Sequence, residues 1–377
     1  LKQLIESCSG SPLVPFARYQ LASVLASTGQ LEQAAIEFAE AANYAQDDSL
    51  RIECRFRAAE TYDKVGWFDA AVTAYEDLLK QYPDTTYTPQ ALRGYAWALF
   101  HARRYDDALA ATDRFLQAYA ESPQRFDIAY LRGNCLQLKG LLQEAMKEYE
   151  ALRKDAANTE FGARAHYRMA WVLFQMGNQE EANREVDTFL SKYTDSPIRG
   201  DVLFLRGALL LAKGNFQDAY EEFHLVAENY PTSEFAPDAL FKAGECLAQL
   251  GRIEEAGKAF ERFVQLYPEH PLTEQAVLRV GDAQFLTASF EGATAKYRAI
   301  LERNPDPTTE QEILYRLAVT YHNMQNYAES AATFRKLVEK FPQSPRVAEA
   351  RFRIGDYLLR DAAKAIEAIP EFEASLA

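Results

Sequence analysis

The sequence predicts an all-α solenoid, built from consecutive two-helix repeats that share one period of 37 residues. The first observation is a track of small residues at that period, because every member is Ala or Gly. The ten members are Ala22, Ala59, Ala96, Gly133, Ala170, Gly207, Gly244, Gly281, Ala318 and Gly355. The second is a composition typical of a helical globular protein, with 48% apolar and 25% charged residues and abundant Ala. A repeated small residue lets helices approach closely at one point, which favours a binding protein over a globular enzyme.

A second track marks the turn that follows the first helix of each repeat. Gly favours a left-handed residue at the end of a helix, so this track predicts the C-cap. Its members are Gly29, Gly66, Gly140, Gly177, Gly214 and Gly251, with Arg103, Ala288 and Gln325 as exceptions.

The second helix of each repeat carries an Ala and, four residues later, an aromatic ring, as in Ala256 and Phe260. A spacing of four places both on one helix face. Stop signals follow at Tyr82-Pro83, Tyr230-Pro231, Tyr267-Pro268, Asn304-Pro305 and Phe341-Pro342. Ser-Pro pairs such as Ser122-Pro123 and Ser344-Pro345 predict helix starts, with Ser as the N-cap and Pro as the first helical residue.

The period also predicts the organisation of the chain. Residues 1–12 are the tail of a truncated preceding repeat, residues 13–345 form nine repeats, and residues 346–377 hold a tenth first helix and an irregular closing segment after Arg360. The chain opens at Leu1 inside an apparent helix, so we expect a fragment of a longer protein. A signal peptide, a lipid anchor or further repeats are the alternatives for the segment that would precede it.

These tracks resemble the tetratricopeptide repeat, whose signature combines bulky and small residues in the first helix with Ala, an aromatic and Pro in the second. One repeat matches through Leu240, Ala243-Gly244 and Leu247, followed by Ala256, Phe260 and Pro268. The resemblance implies a right-handed α-α superhelix of about nine to ten repeats. It also implies that the first helices line a concave groove in which partner proteins bind.

Two interrepeat segments, residues 230–239 and 341–350, look like the longer loops of tetratricopeptide proteins from the bacterial cell envelope. Those proteins include the Tol-Pal-associated coordinator and lipoproteins that assist outer-membrane protein assembly. The similarity implies a periplasmic or outer-membrane-associated location. The loop style also occurs in cytoplasmic proteins, so a cytoplasmic location is the alternative.

Charge and cysteine usage narrow the functional classes. The net charge of −14 disfavours nucleic-acid and anionic membrane surfaces, which require clustered Lys and Arg. The sequence has no transmembrane segment. The four cysteines, Cys8, Cys54, Cys135 and Cys246, form no CxxC or Cys/His pattern and are interpreted as buried small hydrophobes.

The sequence offers no catalytic constellation, cofactor motif or metal site. The five histidines fall at five different positions of the repeat, and the glycines are single and periodic rather than clustered in a phosphate loop. We therefore expect no enzyme activity, no cofactor and no metal in this chain.

The predicted partner-binding groove crosses the third to sixth repeats. Its residues are Arg93, Trp97, Phe100, Tyr130, Asn134, Tyr167, Trp171, Phe174 and Phe204. Trp97 and Trp171 share one repeat position, which other repeats fill with small, polar or acidic residues, so packing alone does not require a ring there. Acidic residues at flanking repeats, including Glu53, Glu60 and Asp63, favour a partner with basic and apolar residues.

Several alternatives remain at this stage. The aromatic residues could pack between adjacent first helices instead of binding a partner. For Tyr130, Tyr167 and Phe204 this interpretation is at least as good as partner binding. The protein could also be a structural subunit with an empty groove, a self-associating oligomer, a protein that contacts glycan or peptidoglycan, or the interaction domain of a larger enzyme.

Overall fold

The computed structural model describes residue 5, residues 10–361 and residues 363–376. This part of the chain contains twenty α-helices and one short 3-10 helix, with no β-strand assigned within it. The predicted all-α fold is confirmed. The sequence also predicts a helix at the start of the chain and a buried Cys8. These predictions fall on residues 1–4 and 6–9, which lie outside the described residues.

The chain divides into two compact units, an N-terminal unit of residues 1–196 and a C-terminal unit of residues 197–377. The helices of the N-terminal unit are α1 (Val14–Ser27), α2 (Leu31–Tyr44), α3 (Asp48–Val65), α4 (Phe68–Gln81), α5 (Thr88–His101), α6 (Tyr105–Ala118), α7 (Arg125–Leu138), α8 (Leu142–Asp155), α9 (Glu160–Gln175) and α10 (Gln179–Lys192). Those of the C-terminal unit are α11 (Arg199–Ala212), α12 (Phe216–Asn229), α13 (Ala236–Gln249), α14 (Ile253–Leu266), α15 (Thr273–Leu286), α16 (Phe290–Leu301), α17 (Pro307–Asn323), α18 (Tyr327–Lys340), α19 (Val347–Leu359) and α20 (Ala368–Leu376).

Within each unit every helix packs against the helix before it and the helix after it. Odd-numbered helices are the first helices of the repeats, and consecutive first helices also touch one another, as α5 and α7 do. Such a neighbour-to-neighbour pattern is that of a helical repeat stack.

The predicted turn track adopts the predicted backbone. Gly66 and Gly251 have φ of +89° and +74°, in the left-handed region. The exceptions Arg103, Ala288 and Gln325 adopt the same conformation, with φ of 60°, 59° and 60°. At Ala288 the flanking hydrogen bonds, Ser289 N to Gln284 O and Ala288 N to Phe285 O, form the Schellman pattern. The position in the repeat therefore fixes the backbone even where the residue is unfavourable.

The Ser-Pro pairs do not cap the helices as the sequence predicts. Ser122 and Ser344 lie three residues before the first helical residue. Each Oγ accepts a hydrogen bond from the backbone N–H two residues on, at 3.2 Å. Val347 N also bonds Ser344 O at 3.1 Å. The pair thus forms a small turn that leads into the helix, because the side-chain oxygen bonds its local backbone.

The small-residue track is explained by packing inside each repeat rather than between repeats. A Cβ atom added at Gly207, Gly244 or Gly281 would lie 2.8 Å from an aromatic ring of the following helix. The rings belong to Phe223, Phe260 and Tyr297, which are almost fully buried. At these glycines the first helix therefore omits a side chain where the aromatic residue of its own second helix lies.

The closing segment differs from the irregular one that the sequence predicts after Arg360. Residues Ala368–Leu376 form α20, which packs on α19. Ala368 is buried, and a Cβ atom at Gly355 would lie 2.8 Å from Phe372. Both residues stand one position later than the 37-residue period places them, so a connection one residue longer conceals a second helix that packs normally.

Three cysteines lie in the core. Cys54, Cys135 and Cys246 are buried and unpaired, as the sequence predicts. Burial raises the pKa of the Cys54 and Cys135 thiols to about 12 and that of Cys246 to about 11. All three are therefore protonated at neutral pH and poor nucleophiles.

Candidate functional site

The predicted groove residues of the N-terminal unit lie on the first helices α5, α7 and α9. Trp97 and Phe100 of α5 are half-buried, as are Trp171 and Phe174 of α9. The structure therefore leaves four rings of these two helices partly accessible. We call these four residues, Trp97, Phe100, Trp171 and Phe174, the aromatic face.

Trp97 is held by contacts as well as being partly accessible. Its Nε1 donates to Asp127 Oδ2 of α7 at 2.9 Å, and Arg93 Nε donates to the same oxygen. The ring meets Phe100 edge-on at 5.7 Å and His101 at 5.7 Å. Trp97 thus joins two consecutive first helices, so its ring has a structural role beside any role in binding.

Trp171 lies in a similar ring cluster on α9. Its ring contacts Tyr167 edge-on at a centroid distance of 6.4 Å and Phe174 at 5.9 Å. Tyr167 is buried, with 5% of its surface exposed. Tyr167 is therefore a buried contact of Trp171, whereas Trp171 and Phe174 remain partly accessible.

The helix between these clusters, α7, contributes support rather than accessible rings. Tyr130 is buried and its hydroxyl accepts a hydrogen bond from Arg168 Nε at 2.9 Å. Asn134 is also buried, and its Oδ1 accepts a bond from the Tyr149 hydroxyl at 2.7 Å. Gln137 Nε2 donates to Gln175 Oε1 at 3.1 Å, which links α7 to α9 near the surface. Of the predicted residues on this helix, neither Tyr130 nor Asn134 offers an open surface.

Phe204 belongs to α11 of the C-terminal unit, whereas the other predicted residues belong to the N-terminal unit. It is buried, with 8% of its surface exposed, and stacks on Phe235 at 4.7 Å with an interplanar angle of 14°. Its ring therefore packs against the next repeat of its own unit.

The acidic flank of the N-terminal unit is largely paired. Glu53 accepts a hydrogen bond from the Tyr19 hydroxyl at 2.7 Å. Glu60 pairs with Arg57 at 3.1 Å, and Asp63 pairs with His101 at 2.8 Å. The charge that these carboxylates offer to a partner is therefore smaller than the sequence alone indicates.

The C-terminal unit contains a feature that sequence reasoning missed, a ladder of ion pairs on its first helices. Stepping by 37 residues from a lysine of α13 gives a basic residue in four consecutive repeats. They are Lys242, Arg279, Arg316 and Arg353. Carboxylates of the same helices pair with them, as Glu245 does with Lys242 at 2.8 Å and Glu312 with Arg316 at 2.9 Å. The signal was present in the sequence as a charge at a fixed repeat position.

Two cavities lie beside this ladder. One, of about 370 Å³, is bordered by residues of α11, α13 and α15, including Glu245 and Ala248. The other, of about 310 Å³, lies between α15 and α17 and is bordered by Asp282 and Val319. Volumes of this size match the lower end of those found for ligand sites.

In the described ranges, no group of three or more His, Cys, Asp or Glu side chains is arranged to hold a metal ion. None of the helices described above is both long and apolar enough to cross a membrane.

Family comparisons match most of the repeats. A tetratricopeptide repeat model matches residues 56–123 and 167–234. A model described as an outer membrane lipoprotein matches residues 210–372, which lie in the C-terminal unit. The two models together reach from the second repeat to α20.

Curated relatives match a shorter stretch. The outer membrane protein assembly factor BamD of Xylella fastidiosa strain 9a5c is 33% identical over 87 residues, and that of strain Temecula1 gives the same figures. The match covers 23% of this chain and 30% of each relative. The chain thus spans less than a third of the length of these relatives.

One of the solved structures that resemble this chain supports the fold. The C-terminal part of a tetratricopeptide repeat protein from Cytophaga hutchinsonii has a TM-score of 0.54 and 16% identity, covering 68% of this chain and 98% of that one. A tetratricopeptide repeat protein from Parabacteroides merdae has a TM-score of 0.47 and 14% identity, covering 71% and 98%. With the helix pairs described above and the family matches, the chain is a tetratricopeptide repeat protein that resembles the outer-membrane assembly lipoproteins.

Proposed function

We propose that this protein is a non-catalytic scaffold that binds a segment of a partner protein along the aromatic face of its N-terminal unit. The observation that carries the proposal is the partial exposure of Trp97, Phe100, Trp171 and Phe174. Two of the four are tryptophans at a repeat position that Ser23 and Ala208 fill elsewhere. Aromatic rings provide a large contact area at a low cost in conformational entropy, which makes them frequent anchors of protein partners.

The similarity to outer-membrane lipoproteins and assembly factors supports a bacterial cell-envelope setting, either in the periplasm or at the outer membrane. A partner segment there would present apolar side chains to the rings. Basic residues would pair with the flanking acids, although Glu60 and Asp63 already have partners. We therefore expect binding to depend mainly on apolar contact and to weaken only slightly as the salt concentration rises.

Removal of the two rings tests the proposal. The double variant Trp97→Ala/Trp171→Ala should lose partners that the wild-type chain captures from detergent-solubilised cell envelopes, as identified by mass spectrometry. Because Trp97 also bonds Asp127, helicity and the thermal midpoint must be measured on the same sample. The variant Phe100→Ala/Phe174→Ala removes accessible rings without breaking that hydrogen bond and should show the same loss.

A matched control is Trp67→Ala. Trp67 is 38% exposed, lies at the start of α4 and is not part of the aromatic face. This variant should keep every partner. Unchanged capture by both double variants would refute the proposal.

A further inference from the structure

The cavity between α15 and α17, of about 310 Å³, has mostly apolar walls. Phe285 and Leu286 of α15 form one side, and Tyr315 and Val319 of α17 form the other. Leu286 is 65% exposed although it is a large aliphatic residue. A site of this kind offers burial to one large apolar side chain supplied from outside.

The cavity also contains one carboxylate, that of Asp282. Its Oδ1 accepts a hydrogen bond from the Tyr297 hydroxyl at 2.9 Å and another from Arg316. Its Oδ2 forms a long ion pair with Arg279 Nη1 at 3.9 Å, which exceeds the length of a hydrogen bond. A carboxylate oxygen can accept two hydrogen bonds, so Oδ2 retains the capacity to accept one from a ligand.

The Tyr297 hydroxyl keeps its proton in this arrangement. Burial, followed by the negative charge of Asp282, raises the pKa of that hydroxyl. Tyr297 therefore remains a donor to Oδ1 at all physiological pH values, and its hydrogen bond does not occupy Oδ2.

The charges around the cavity are balanced. Arg316 lies between Asp282 and Glu312, whose Oε1 accepts from Arg316 Nε at 2.9 Å, and Arg279 provides a second guanidinium. An anionic ligand group would face Asp282, whereas a cationic one would face the guanidinium of Arg316. A neutral group avoids both repulsions, so the balance selects against charged ligands.

We propose that this cavity binds a neutral aromatic side chain that carries a hydrogen-bond donor, tyrosine or tryptophan, from an extended segment of a partner protein. The ring packs against Phe285, Tyr315 and Val319, and its O–H or N–H donates to Asp282 Oδ2. Phenylalanine binds less well because it covers the carboxylate without supplying a donor. This site is separate from the aromatic face of the N-terminal unit and does not depend on it.

A second cavity lies beside this one, and two adjoining cavities favour a ligand that is a segment of a protein chain over a small molecule. The cavity at α11, α13 and α15 is bordered by Arg279, and the one at α15 and α17 by Asp282, three residues further along α15. The two cavities therefore adjoin on either side of this ion pair. Alternate side chains of an extended segment are about 7 Å apart, close to the roughly 8–10 Å between packed helices.

Blocked pentapeptides test the proposal on the full chain. Each has a Gly-Gly-X-Gly-Gly sequence, with X as Tyr, Trp, Phe or Leu, and binding is measured by saturation-transfer NMR titration. We expect the Tyr and Trp peptides to bind about tenfold more tightly than the Phe peptide, since a hydrogen bond to a charged acceptor is gained. Equal affinity for Tyr, Phe and Leu, or no binding of the Tyr peptide, would overturn the proposal.

A second experiment repeats the peptide titration on a variant in which a larger side chain fills the cavity. Val319 is half-buried and occupies the repeat position at which Trp97 and Trp171 stand, so the helix tolerates a ring there. Val319→Trp should weaken Tyr-peptide binding at least about tenfold. Leu266→Trp, at a residue of α14 that is 53% exposed and borders neither cavity, is the matched control and should leave it unchanged.

If Val319→Trp lowers the helicity, Leu286→Asp replaces it. Leu286 is mostly exposed, so this substitution alters the rim of the cavity and spares the core. Tyr-peptide binding that persists in a folded Val319→Trp or Leu286→Asp variant places the ligand elsewhere and refutes the proposal.

Discussion

Gly244→Ala tests whether the small-residue track serves packing inside each repeat. The glycine lies in the middle of α13 with helical backbone, where Ala normally stabilises by about 1 kcal/mol. Here the added Cβ atom would lie 2.8 Å, 2.9 Å and 3.1 Å from ring carbons of Phe260. Two effects of opposite sign therefore compete at one position.

The geometry indicates which effect is larger. Carbon atoms pack best at about 3.5–4.0 Å, so the ring would have to retreat by somewhat less than 1 Å. Phe260 is 2% exposed and has little room to move. Overpacking of this kind costs about 1–3 kcal/mol, and we expect the upper part of that range. After the gain in helix propensity, the net loss should be about 1–2 kcal/mol.

Urea unfolding followed by far-UV circular dichroism measures the effect. A loss of this size lowers the midpoint by roughly 0.5–1 M at a slope of about 2 kcal/mol per molar urea, the middle of the usual range. Gly292→Ala is the matched control in α16, because its Cβ atom would meet only the flexible end of Gln284. That control should hold or raise the midpoint.

A double-mutant cycle isolates the contact. In a Phe260→Leu background the ring is absent, so Gly244→Ala should become neutral or stabilising, with a coupling of about 2 kcal/mol. A rise in the midpoint for Gly244→Ala in the wild-type background would refute the packing explanation of the track.

Two further predictions concern local structure. Ala288→Gly should stabilise the C-terminal unit by up to about 1 kcal/mol in urea unfolding, because Ala288 has φ of 59° and the left-handed conformation costs a non-glycine residue about 1–2 kcal/mol; a loss of stability would contradict this. Glu185→Gln should make the free energy of unfolding fall less steeply as the pH is lowered. Burial alone would raise the pKa of Glu185, but the hydrogen bonds and charges of His166 and Arg153 lower it overall. A lowered carboxyl pKa stabilises above the unfolded pKa, near 4.5, and that contribution disappears as the pH falls through the folded value; an acid limb with the same slope in the variant would show that this cluster is not responsible.

Most of the fold was predictable because the repeat constrains backbone and packing at the same positions in every unit. Arg103 and Gln325 adopt the left-handed conformation of the glycines that they replace. Their position therefore predicts the turn better than their residue type does. The prediction of an irregular segment after Arg360 was wrong because the period itself changes there. One extra residue before Ala368 shifts α20 out of phase, so a fixed step of 37 residues does not detect this helix.

The candidate sites were only partly predictable, since exposure depends on neighbouring side chains. The disagreement between repeats at Trp97 and Trp171 indicated accessible rings, and both are half-buried. The same pattern could not show that Trp97 bonds Asp127 or that Asn134 lies beneath the surface. This hydrogen bond and this burial depend on the residue that the neighbouring helix places against each side chain. The residue types at one repeat position contain no information about that neighbour.

One repeat position connects the two proposed sites. In α5 and α9 it carries Trp97 and Trp171, which fill the face of the N-terminal unit with rings. In α17 it carries Val319, and the smaller side chain borders a cavity of about 310 Å³. The residue at this position thus determines whether a repeat presents a ring to a partner or accommodates one. Because the Ala and Gly track keeps the helix pairs alike, substitution at this position changes the surface without altering the fold, and Val319→Trp tests both roles in one variant.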